Sequence, residues 1–511
     1  MRASVTARRL AAAGGCGLLL FAAATLAQVQ LAVAPAEIPA LRANPASIAT
    51  LVAPGAPVRR IDLGAPGLDE RAQLAVLNAA PAASRLPAGA DSGKGRPLAI
   101  GFPRTLPADS RSIGLAGLAW QALPAGGRAT RIEVVSTGAA ALRLSLALAS
   151  TGSDLVVRFA SAGPSGAVHG PYPAHAIAEA VARHGAFWSP VTEGEVAIVE
   201  IVAGAGTVLE GLALGFGPLS HLAVGPMAIA ADEPKRVEDI GDSGACNVDV
   251  ACALPDPVLE TAARSVGKLV FSKPAGGTYL CSGTLINDSI GSYIPYMHTA
   301  AHCIEDAFTA STINVYWHFR AQACGSLAVP PYALQTGGAA LLARDADFDW
   351  VLLRLNAPPP QGVVFSGWSG AIVATGAAAT GLHHPMGDLE KVSRGETPGY
   401  YTFDDGSSFV QMQWRSGTTE PGSSGSGLFT LHASGGHYEL RGGLFGGAAS
   451  CANRQGLDYY SRFDHMLAAT QQYLVPAAPV PTEVPLLAPA GLVALAAVVA
   501  FAAGHALRAR G

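Results

Sequence analysis

The stretch Thr299-Ala300-Ala301-His302-Cys303 follows an apolar run, Gly283-Thr284-Leu285-Ile286, and places a histidine beside a cysteine. The small residues before His302 let its ring approach a junction between two packed units. A lone histidine is usually structural, but this flanking sequence favours a general base, a role in which histidine is the commonest side chain. Cys303 offers a cross-link from the histidine loop to Cys281 on the preceding strand.

A carboxylate suited to orienting His302 follows in the chain. Asp349 directly precedes the apolar run Trp350-Val-Leu-Leu-Arg-Leu355, which predicts a core strand. A carboxylate that enters such a strand becomes buried, where it can hold an imidazole and stabilise the imidazolium. Asp347 remains the reserve candidate, and Asp345 fits a solvated acidic turn.

The candidate nucleophile is Ser424, within Glu420-Pro421-Gly422-Ser423-Ser424-Gly425-Ser426-Gly427. This segment is too rich in Gly and Ser to form a strand. Gly422 can adopt backbone angles closed to other residues, so the N–H groups of Gly422 and Ser424 can form an oxyanion hole. The stretch lacks the G-x-S-x-G pattern of α/β-hydrolases, because position 426 is serine. The order His, Asp, Ser favours a chymotrypsin-like arrangement.

Length and composition limit the remaining possibilities. A chain of 511 residues suggests two folded parts with tails, and half of its residues are hydrophobic. Charged residues make up only 14% and the formal net charge is -4, which argues against a nucleic-acid partner. The 60 glycines and 36 prolines favour β-structure and loops over long helices.

The cysteines indicate a disulfide framework. Cys16 lies in an apolar N-terminal stretch, whereas an even set falls in the second half of the chain: Cys246, Cys252, Cys281, Cys303, Cys324 and Cys451. Such a set in an exported chain is typical of disulfides. No C-x-x-C pair occurs, so no zinc site is predicted. The serine chemistry requires neither a metal nor an organic cofactor, and the adjacent His383 and His384 lack further ligands.

Both ends carry targeting signals. Residues 1–27 combine early arginines, an apolar run and a small-residue site, the pattern of a secretory signal peptide. Residues 474–485 form a Pro-rich linker. Residues 486–511 are apolar with a basic tail, long enough to cross a bilayer or to act as a sorting segment. We therefore expect a bacterial protein that is secreted or lies at the cell surface, with a membrane contact through its C-terminus.

Residues 28–240 are expected to precede the catalytic domain as a propeptide. Little periodicity is evident before about residue 110, which predicts loose structure there. From residue 112 to 217, short runs with period-two alternation predict a small β-sandwich, with one helix between His175 and His184. Trp120 and Trp188 are assigned to its core.

The second half resembles the trypsin-like serine peptidases, and among them the bacterial lysyl endopeptidases, over about residues 241–460. The phrases that carry the resemblance are Gly244-Ala-Cys-Asn-Val-Asp-Val-Ala-Cys252, Cys281-Ser-Gly-Thr-Leu-Ile-Asn, Thr299-Ala-Ala-His-Cys303, His383-His-Pro385, Gln413-Trp414 and Glu420-Pro-Gly-Ser-Ser-Gly-Ser426. The resemblance implies an all-β protease domain at residues 241–473, made of two six-stranded antiparallel β-barrels, that acts on proteins or peptides. It also implies a removable propeptide and disulfides that pair Cys246 with Cys451, Cys252 with Cys324 and Cys281 with Cys303.

The same resemblance bears on substrate choice. Thr418 stands where trypsin has its pocket acid, whereas Asp458 matches the later acid of the lysyl endopeptidases. A pocket with Asp458 predicts cleavage after Lys, or after Arg. Phe445, beside Gly446, stands where lysine-specific enzymes carry a histidine, so the pocket wall is expected to differ.

Three other functions stay open at this level. The domain could be a catalytically silent, protease-like surface-binding module. The N-terminal sandwich could instead be the main functional unit, as an adhesin for glycans or matrix. A serine esterase would share the catalytic residues.

Overall fold

The computed structural model describes residues 31–38, 49–53, 55–79, 93–148, 154–162, 166–224, 243–326, 328 and 331–477. The predicted signal peptide, most of the Pro-rich linker and the C-terminal apolar segment lie outside the described residues. Among the helices that are described, none is both long and apolar enough to cross a membrane.

The described N-terminal half consists mainly of short strands. Its elements are β1 (Ala32–Val33), β2 (Ala36–Glu37), β3 (Arg59–Asp62), α1 (Leu68–Ala79), β4 (Leu98–Arg104), β5 (Ser112–Gly114), β6 (Gln121–Ala122), β7 (Arg128–Val135), β8 (Ala141–Leu148), β9 (Leu155–Ser161), β10 (Val168–Pro173), α2 (Ala174–His184), β11 (Phe187–Trp188), β12 (Thr192–Glu193), β13 (Val196–Ala203) and β14 (Ala213–Leu222).

These strands form the predicted sandwich. One sheet has the order β10-β9-β13-β7-β3, and the other contains β11-β8-β14-β4. Ile132 and Val134 of β7 belong to one core cluster with Leu144 and Leu146 of β8, so apolar positions two apart on each strand point between the sheets. The predicted helix is confirmed as α2. Trp188 is buried and Trp120 packs against the same core.

The expectation of loose structure before residue 110 is wrong for α1 and β4. β4 pairs on one side with β14 and on the other with β17 (Thr278–Ile286) of the second half. It is buried along almost its whole length. A strand buried on both faces reads as a continuous apolar run, so it lacks the alternation by which a half-buried strand is recognised.

The second half carries the remaining elements. They are β15 (Val248–Asp249), α3 (Pro257–Ala263), β16 (Val266–Ser272), β17, β18 (Tyr296–Thr299), α4 (Ala307–Ser311), β19 (Asn314–Trp317), β20 (Ala333–Gln335), β21 (Ala339–Asp345), β22 (Trp350–Leu355), β23 (Val364–Phe365), β24 (Gly367–Ser369), β25 (Ala378–His383), β26 (Lys391–Thr402), β27 (Ser408–Ser416), β28 (Gly427–Leu431), β29 (Tyr438–Gly447), β30 (Asp458–Tyr460) and α5 (Phe463–Leu474).

Two barrels follow from the strand pairing. The second is closed: β25, β26, β27, β30, β29 and β28 pair in that order, and β28 pairs back with β25. In the first, pairing runs from β20 through β19, β16, β17, β18 and β22 to β21, which gives a half-barrel. Each barrel encloses its own apolar cluster, with Leu269 and Leu353 in the first and Met412 and Leu428 in the second. The all-β, double-barrel class predicted from the sequence is confirmed.

The N-terminal sandwich and the first barrel share one sheet. Leu98 and Ala99 of β4 stand opposite Leu280 and Tyr279 of β17. The fully buried Arg143 of β8 also crosses the junction, donating hydrogen bonds to Ser272 Oγ at 3.0 Å and to the carbonyl of Thr312 at 2.7 Å. Because backbone pairing and a buried cation both join them, the two halves are packed as one body.

Three disulfides form in the predicted pairing. They join Cys246 to Cys451, Cys252 to Cys324 and Cys281 to Cys303. The last of these ties the loop that carries His302 to β17, as the sequence indicates.

Candidate active site

His302 and Asp349 meet through two hydrogen bonds. Asp349 Oδ2 lies 2.9 Å from His302 Nδ1, and Oδ1 accepts the backbone N–H of His302 at 2.9 Å. The carboxylate is buried. A carboxylate at Nδ1 fixes the tautomer in which Nε2 can accept a proton. Nε2 has no hydrogen-bond partner among the described residues.

The backbone at Asp349 is unusual. Its φ of 51° lies in the left-handed region, which residues other than glycine rarely adopt. Such strain persists only where the surroundings over-determine it, and it clusters at functional sites. Asp345 instead accepts the backbone N–H groups of Asp347 and Phe348, at 2.9 and 3.1 Å, in a local turn. Of the three neighbouring aspartates, the one that contacts the histidine is therefore Asp349.

Ser282 of β17 holds the nucleophile turn in place. Its N–H donates to the carbonyl of Ser424 at 2.8 Å, and its hydroxyl donates to the carbonyl of Gly422 at 3.1 Å. Its own carbonyl accepts the hydroxyl of Thr299, three residues before His302, at 2.7 Å. One residue therefore links the segment of the candidate nucleophile to that of the candidate base.

The turn also fits closely against the strand end before His302. A Cβ built on Gly425 would lie 2.1 Å from Thr299 Oγ1 and 2.6 Å from the nitrogen of Ala300. Gly422 has a φ of 91°, as expected for a position that needs glycine. The N–H groups of Gly422 and Ser424 donate to no other described residue, so both remain available as an oxyanion hole.

Asp458 lies at the centre of a second cluster, fully buried. Its Oδ2 accepts Trp414 Nε1 at 2.7 Å and the Thr419 hydroxyl at 2.6 Å. The carbonyl of Ala449 belongs to the same cluster, because it and Asp458 Oδ1 accept hydrogen bonds from one ammonium group, that of Lys94. We call Trp414, Thr419, Ala449 and Asp458 the Asp458 pocket. Buried carboxylates require such partners, because an unpaired buried charge is costly.

The side chain of Lys94, from the N-terminal half, fills the Asp458 pocket. Its Nζ lies 2.5 Å from Asp458 Oδ1, 2.6 Å from the carbonyl of Ala449 and 3.0 Å from Thr419 Oγ1. The lysine is completely buried. Burial lowers the pKa of Lys94, and the charge of Asp458 opposes that shift. The carbonyl oxygen of Lys94 accepts a hydrogen bond from the Ser424 hydroxyl.

The other predicted pocket residues take different positions. Thr418 is buried, but its carbonyl binds the Ser393 hydroxyl at 2.7 Å, and it is the next residue, Thr419, whose hydroxyl contacts Asp458. Gly446 pairs with Tyr459, next to Asp458. Phe445 faces His302 with ring centroids 6.3 Å apart. Trp414 belongs to one of the sequence phrases on which the family resemblance rests, but the resemblance assigns it no role. In the structure its indole N–H binds Asp458.

Two buried histidines support the turn from behind. His383 Nδ1 lies 2.8 Å from Ser423 Oγ, and its Nε2 lies 3.0 Å from Ser393 Oγ. His384 Nδ1 donates to the carbonyl of Asp388 at 3.0 Å. Burial, reinforced by the charge of Lys268, lowers the pKa of His384 to about 3. Both nitrogens of His383 are engaged, so this pair acts as structural support for the turn.

Comparison with known proteins agrees with this geometry. The family "Lysyl endopeptidase, C-terminal domain" matches residues 240–461, and "Lysyl endopeptidase N-terminal domain" matches residues 70–223. A lysyl endopeptidase of Pseudomonas aeruginosa is 34% identical over 395 residues, which span 75% of this chain and 82% of that protein. The chain belongs to the lysyl endopeptidase family. It is therefore a serine peptidase, with both domains of the family present.

Solved structures that resemble the lysyl endopeptidase chain are more distant. An HtrA-type protease with a tripeptide is 19% identical, with a TM-score of 0.30, and the match covers 42% of this chain and 62% of that one. The active form of the Rv3671c protease from M. tuberculosis is 18% identical, with a TM-score of 0.29, and the match covers 49% and 97% of the two chains.

The fit of the nucleophile turn predicts a position-specific effect of alanine. At Gly425 the new methyl group overlaps Thr299 and Ala300, in addition to the cost of a positive φ. At Gly435, which has a φ of 73° and no atom within 4 Å of the point that a Cβ would occupy, only the second cost applies. We expect Gly425→Ala to lower the free energy of unfolding by about 2 kcal/mol more than Gly435→Ala, and to lower kcat. Denaturant unfolding and an amide assay test this; equal effects of the two variants would contradict the packing argument.

His384 predicts a pH dependence of stability. Its pKa is about 3 in the folded protein, against about 6.5 in the unfolded chain. Below pH 6.5 the unfolded state therefore binds a proton that the folded state does not, so the free energy of unfolding falls as the pH is lowered towards 3. In a Ser424→Ala background, His384→Gln should reduce this slope by up to about 1.4 kcal/mol per pH unit. The exposed His175→Gln is the control, and an unchanged slope in His384→Gln would refute the assignment.

Proposed function

We propose that this lysyl endopeptidase homologue is a secreted serine endopeptidase that cuts after lysine through His302, Asp349 and Ser424. One observation carries the proposal: a lysine side chain fills the Asp458 pocket while its own carbonyl contacts the Ser424 hydroxyl. The P1 residue of a substrate is the residue whose carbonyl is attacked. It also places its side chain in the specificity pocket and its carbonyl beside the serine nucleophile.

The proposed chemistry starts from the two contacts that hold His302 on Asp349. Ser424 Oγ attacks the P1 carbonyl carbon as His302 Nε2 takes its proton, and Asp349 stabilises the imidazolium from the Nδ1 side. The N–H groups of Gly422 and Ser424 meet the developing oxyanion. The imidazolium then protonates the leaving amine. Water releases the acyl group by the same route in reverse.

The acceptors around Lys94 Nζ support lysine over arginine. An ammonium has three N–H donors, and the pocket supplies a carboxylate oxygen, a carbonyl and a hydroxyl within 3.0 Å of Nζ. An arginine carries a planar five-donor fork on a longer side chain, which three converging acceptors do not match. A neutral P1 side chain would leave Asp458 buried and unpaired, a cost that produces discrimination.

The lysines of the protease half support the same preference. Only five of the chain's 33 lysine and arginine residues are lysines, and three of these lie after residue 243. Lys268 and Lys391 are buried. Lys273 is followed by Pro274, so the nitrogen of that peptide bond carries no N–H. An enzyme that cuts after lysine would therefore find few cleavable bonds in its own folded domain.

We also place the protein outside the cytoplasm. Three disulfides are typical of an oxidising compartment, and the N-terminal sequence has the pattern of a signal peptide. Residues 28–240 are proposed to be a propeptide. The C-terminal apolar segment is proposed to contact the membrane or to serve in sorting.

Digestion of a denatured protein mixture tests the triad. We expect the purified enzyme to cut after lysine, and Ser424→Ala to abolish these cuts. Asp349→Asn should lower kcat about 10⁴-fold, because an amide at Nδ1 selects the wrong histidine tautomer. Asp347→Asn is the matched control: it removes the same charge from an exposed neighbour, and its activity should stay near that of the wild type. Loss of activity in both variants, or in neither, would contradict the assignment of Asp349.

Asp458→Asn tests the pocket. Removing the carboxylate from a buried ion pair costs about 3–5 kcal/mol, so kcat/KM for a peptide amide with P1 lysine should fall by about 10²- to 10⁴-fold. A matched substrate with P1 norleucine, which lacks the charge, should lose far less. If the wild-type enzyme cuts both substrates equally well, the preference for lysine is refuted while the peptidase assignment stands.

A further inference from the structure

The N-terminal half contributes a segment, residues 93–97, that runs through the catalytic cleft. We propose that this segment is a built-in substrate: Lys94 occupies the P1 position, shuts the cleft to other lysines, and the Lys94–Gly95 peptide bond is one that the enzyme cuts in its own chain. The inference rests on the proposed function and extends it to a specific bond and to control of the site.

The contacts at Lys94 go beyond simple burial. Its side chain is held in the Asp458 pocket by three acceptors, and its carbonyl contacts the nucleophile. Ser424 Oγ also lies 3.4 Å from the carbonyl of Arg96, so the backbone beyond Lys94 stays at the nucleophile. Before Lys94, Gly93 has a φ of 82° and a Cβ there would lie 3.5 Å from Pro421 of the nucleophile turn. The chain therefore passes directly across the candidate catalytic serine.

The residues after Lys94 leave the cleft as an added strand. Leu98 and Ala99 of β4 pair with Leu280 and Tyr279 of β17, immediately before Cys281 and Ser282. Strand addition to a sheet edge is a common way in which a protein binds an extended peptide. The part of the segment that follows the Lys94–Gly95 bond is therefore held by backbone pairing, independently of the Asp458 pocket.

Asn78 of α1 fixes the same stretch from the other side. Its side-chain amide donates to the carbonyl of Ala99 at 2.9 Å and accepts the N–H of Ala99 at 2.8 Å. Its backbone carbonyl accepts Arg96 Nη2 at 2.5 Å. Because Asn78 precedes the Lys94–Gly95 bond and its partners follow it, these contacts hold the two sides together after the bond is broken.

The lysine distribution points to the same bond. Before the protease half the sequence contains two lysines, Lys94 and Lys235. Lys235 lies outside the described residues. A lysine-specific enzyme acting on its own N-terminal region therefore has two candidate positions, and one of them is seated at the nucleophile.

The proposed step needs only water as co-reactant. Ser424 Oγ bonds to the carbonyl carbon of Lys94, and its proton passes through His302 to the nitrogen of Gly95 as the C–N bond breaks. Water then hydrolyses the ester, which leaves a carboxylate at Lys94 and a free amine at Gly95. Until the Lys94 side chain leaves the pocket, no other lysine can enter.

Labelling of Ser424 tests whether the cleft is occupied. A fluorophosphonate probe is added to the freshly purified full chain, and its incorporation into the uncut band is followed over time. We expect Lys94→Ala to be labelled at least about tenfold faster than the wild type, because the pocket loses its occupant. Lys273→Ala is the matched control: it removes a lysine that pairs with Glu305 rather than with Asp458, and should leave the rate near that of the wild type. Equal rates in Lys94→Ala and the wild type would overturn the proposal.

The chain termini test the cut. Mass spectrometry of the wild-type full chain should reveal an N-terminus at Gly95, and this terminus should be missing from Ser424→Ala and from Lys94→Ala. If the enzyme digests denatured proteins after lysine but never produces the Gly95 terminus, the inference fails and the proposed function stands. If Ser424 causes no cut in any protein and takes up no probe in any variant, the proposed function itself fails.

Discussion

A carboxylate that is completely buried needs hydrogen-bond donors or a cation beside it, and in this protein that requirement determines how the Asp458 pocket is arranged. Asp458 lies where β30 closes the second barrel, and it draws Trp414 of β27 and Thr419 of the following loop towards one point. Those two donors satisfy one carboxylate oxygen, and the other faces a cation. The cation of this pair is Lys94, which comes from outside the barrel.

β17 connects this pocket to the rest of the molecule. It pairs with β16 and β18 in the first barrel and with β4 of the N-terminal sandwich, and Cys281 on it anchors the loop of His302. Ser282, the next residue, holds the turn of Ser424 through both its N–H and its hydroxyl. Through these contacts β17 joins the segments of His302 and Ser424 to the N-terminal segment, so the three pack as one body.

The two buried carboxylates of the site act in different ways because their partners differ. Asp349 is held against a neutral ring and a backbone N–H, so it can orient His302 and stabilise the charge that forms there during reaction. Asp458 instead faces the ammonium of Lys94, a full positive charge, which is the contact that supports the proposed preference for lysine. Phe445 lies against His302 and stacks on Phe409 with ring centroids 4.8 Å apart, which gives the imidazole an apolar wall.

The sequence by itself determined the features whose evidence is local. His302, Asp349 and Ser424 stand in short phrases with recognisable neighbours, and the sandwich strands show period-two alternation because one face of each is buried. Tertiary structure decided the features that depend on distant segments meeting. Thr419 reaches Asp458 only because the fold brings the loop after β27 to β30, and β4 shows no alternation because it is buried on both faces. Lys94 sits in a Gly- and Pro-flanked stretch without periodicity, so only the fold, which adds β4 to β17, brings its ammonium to a carboxylate far along the chain.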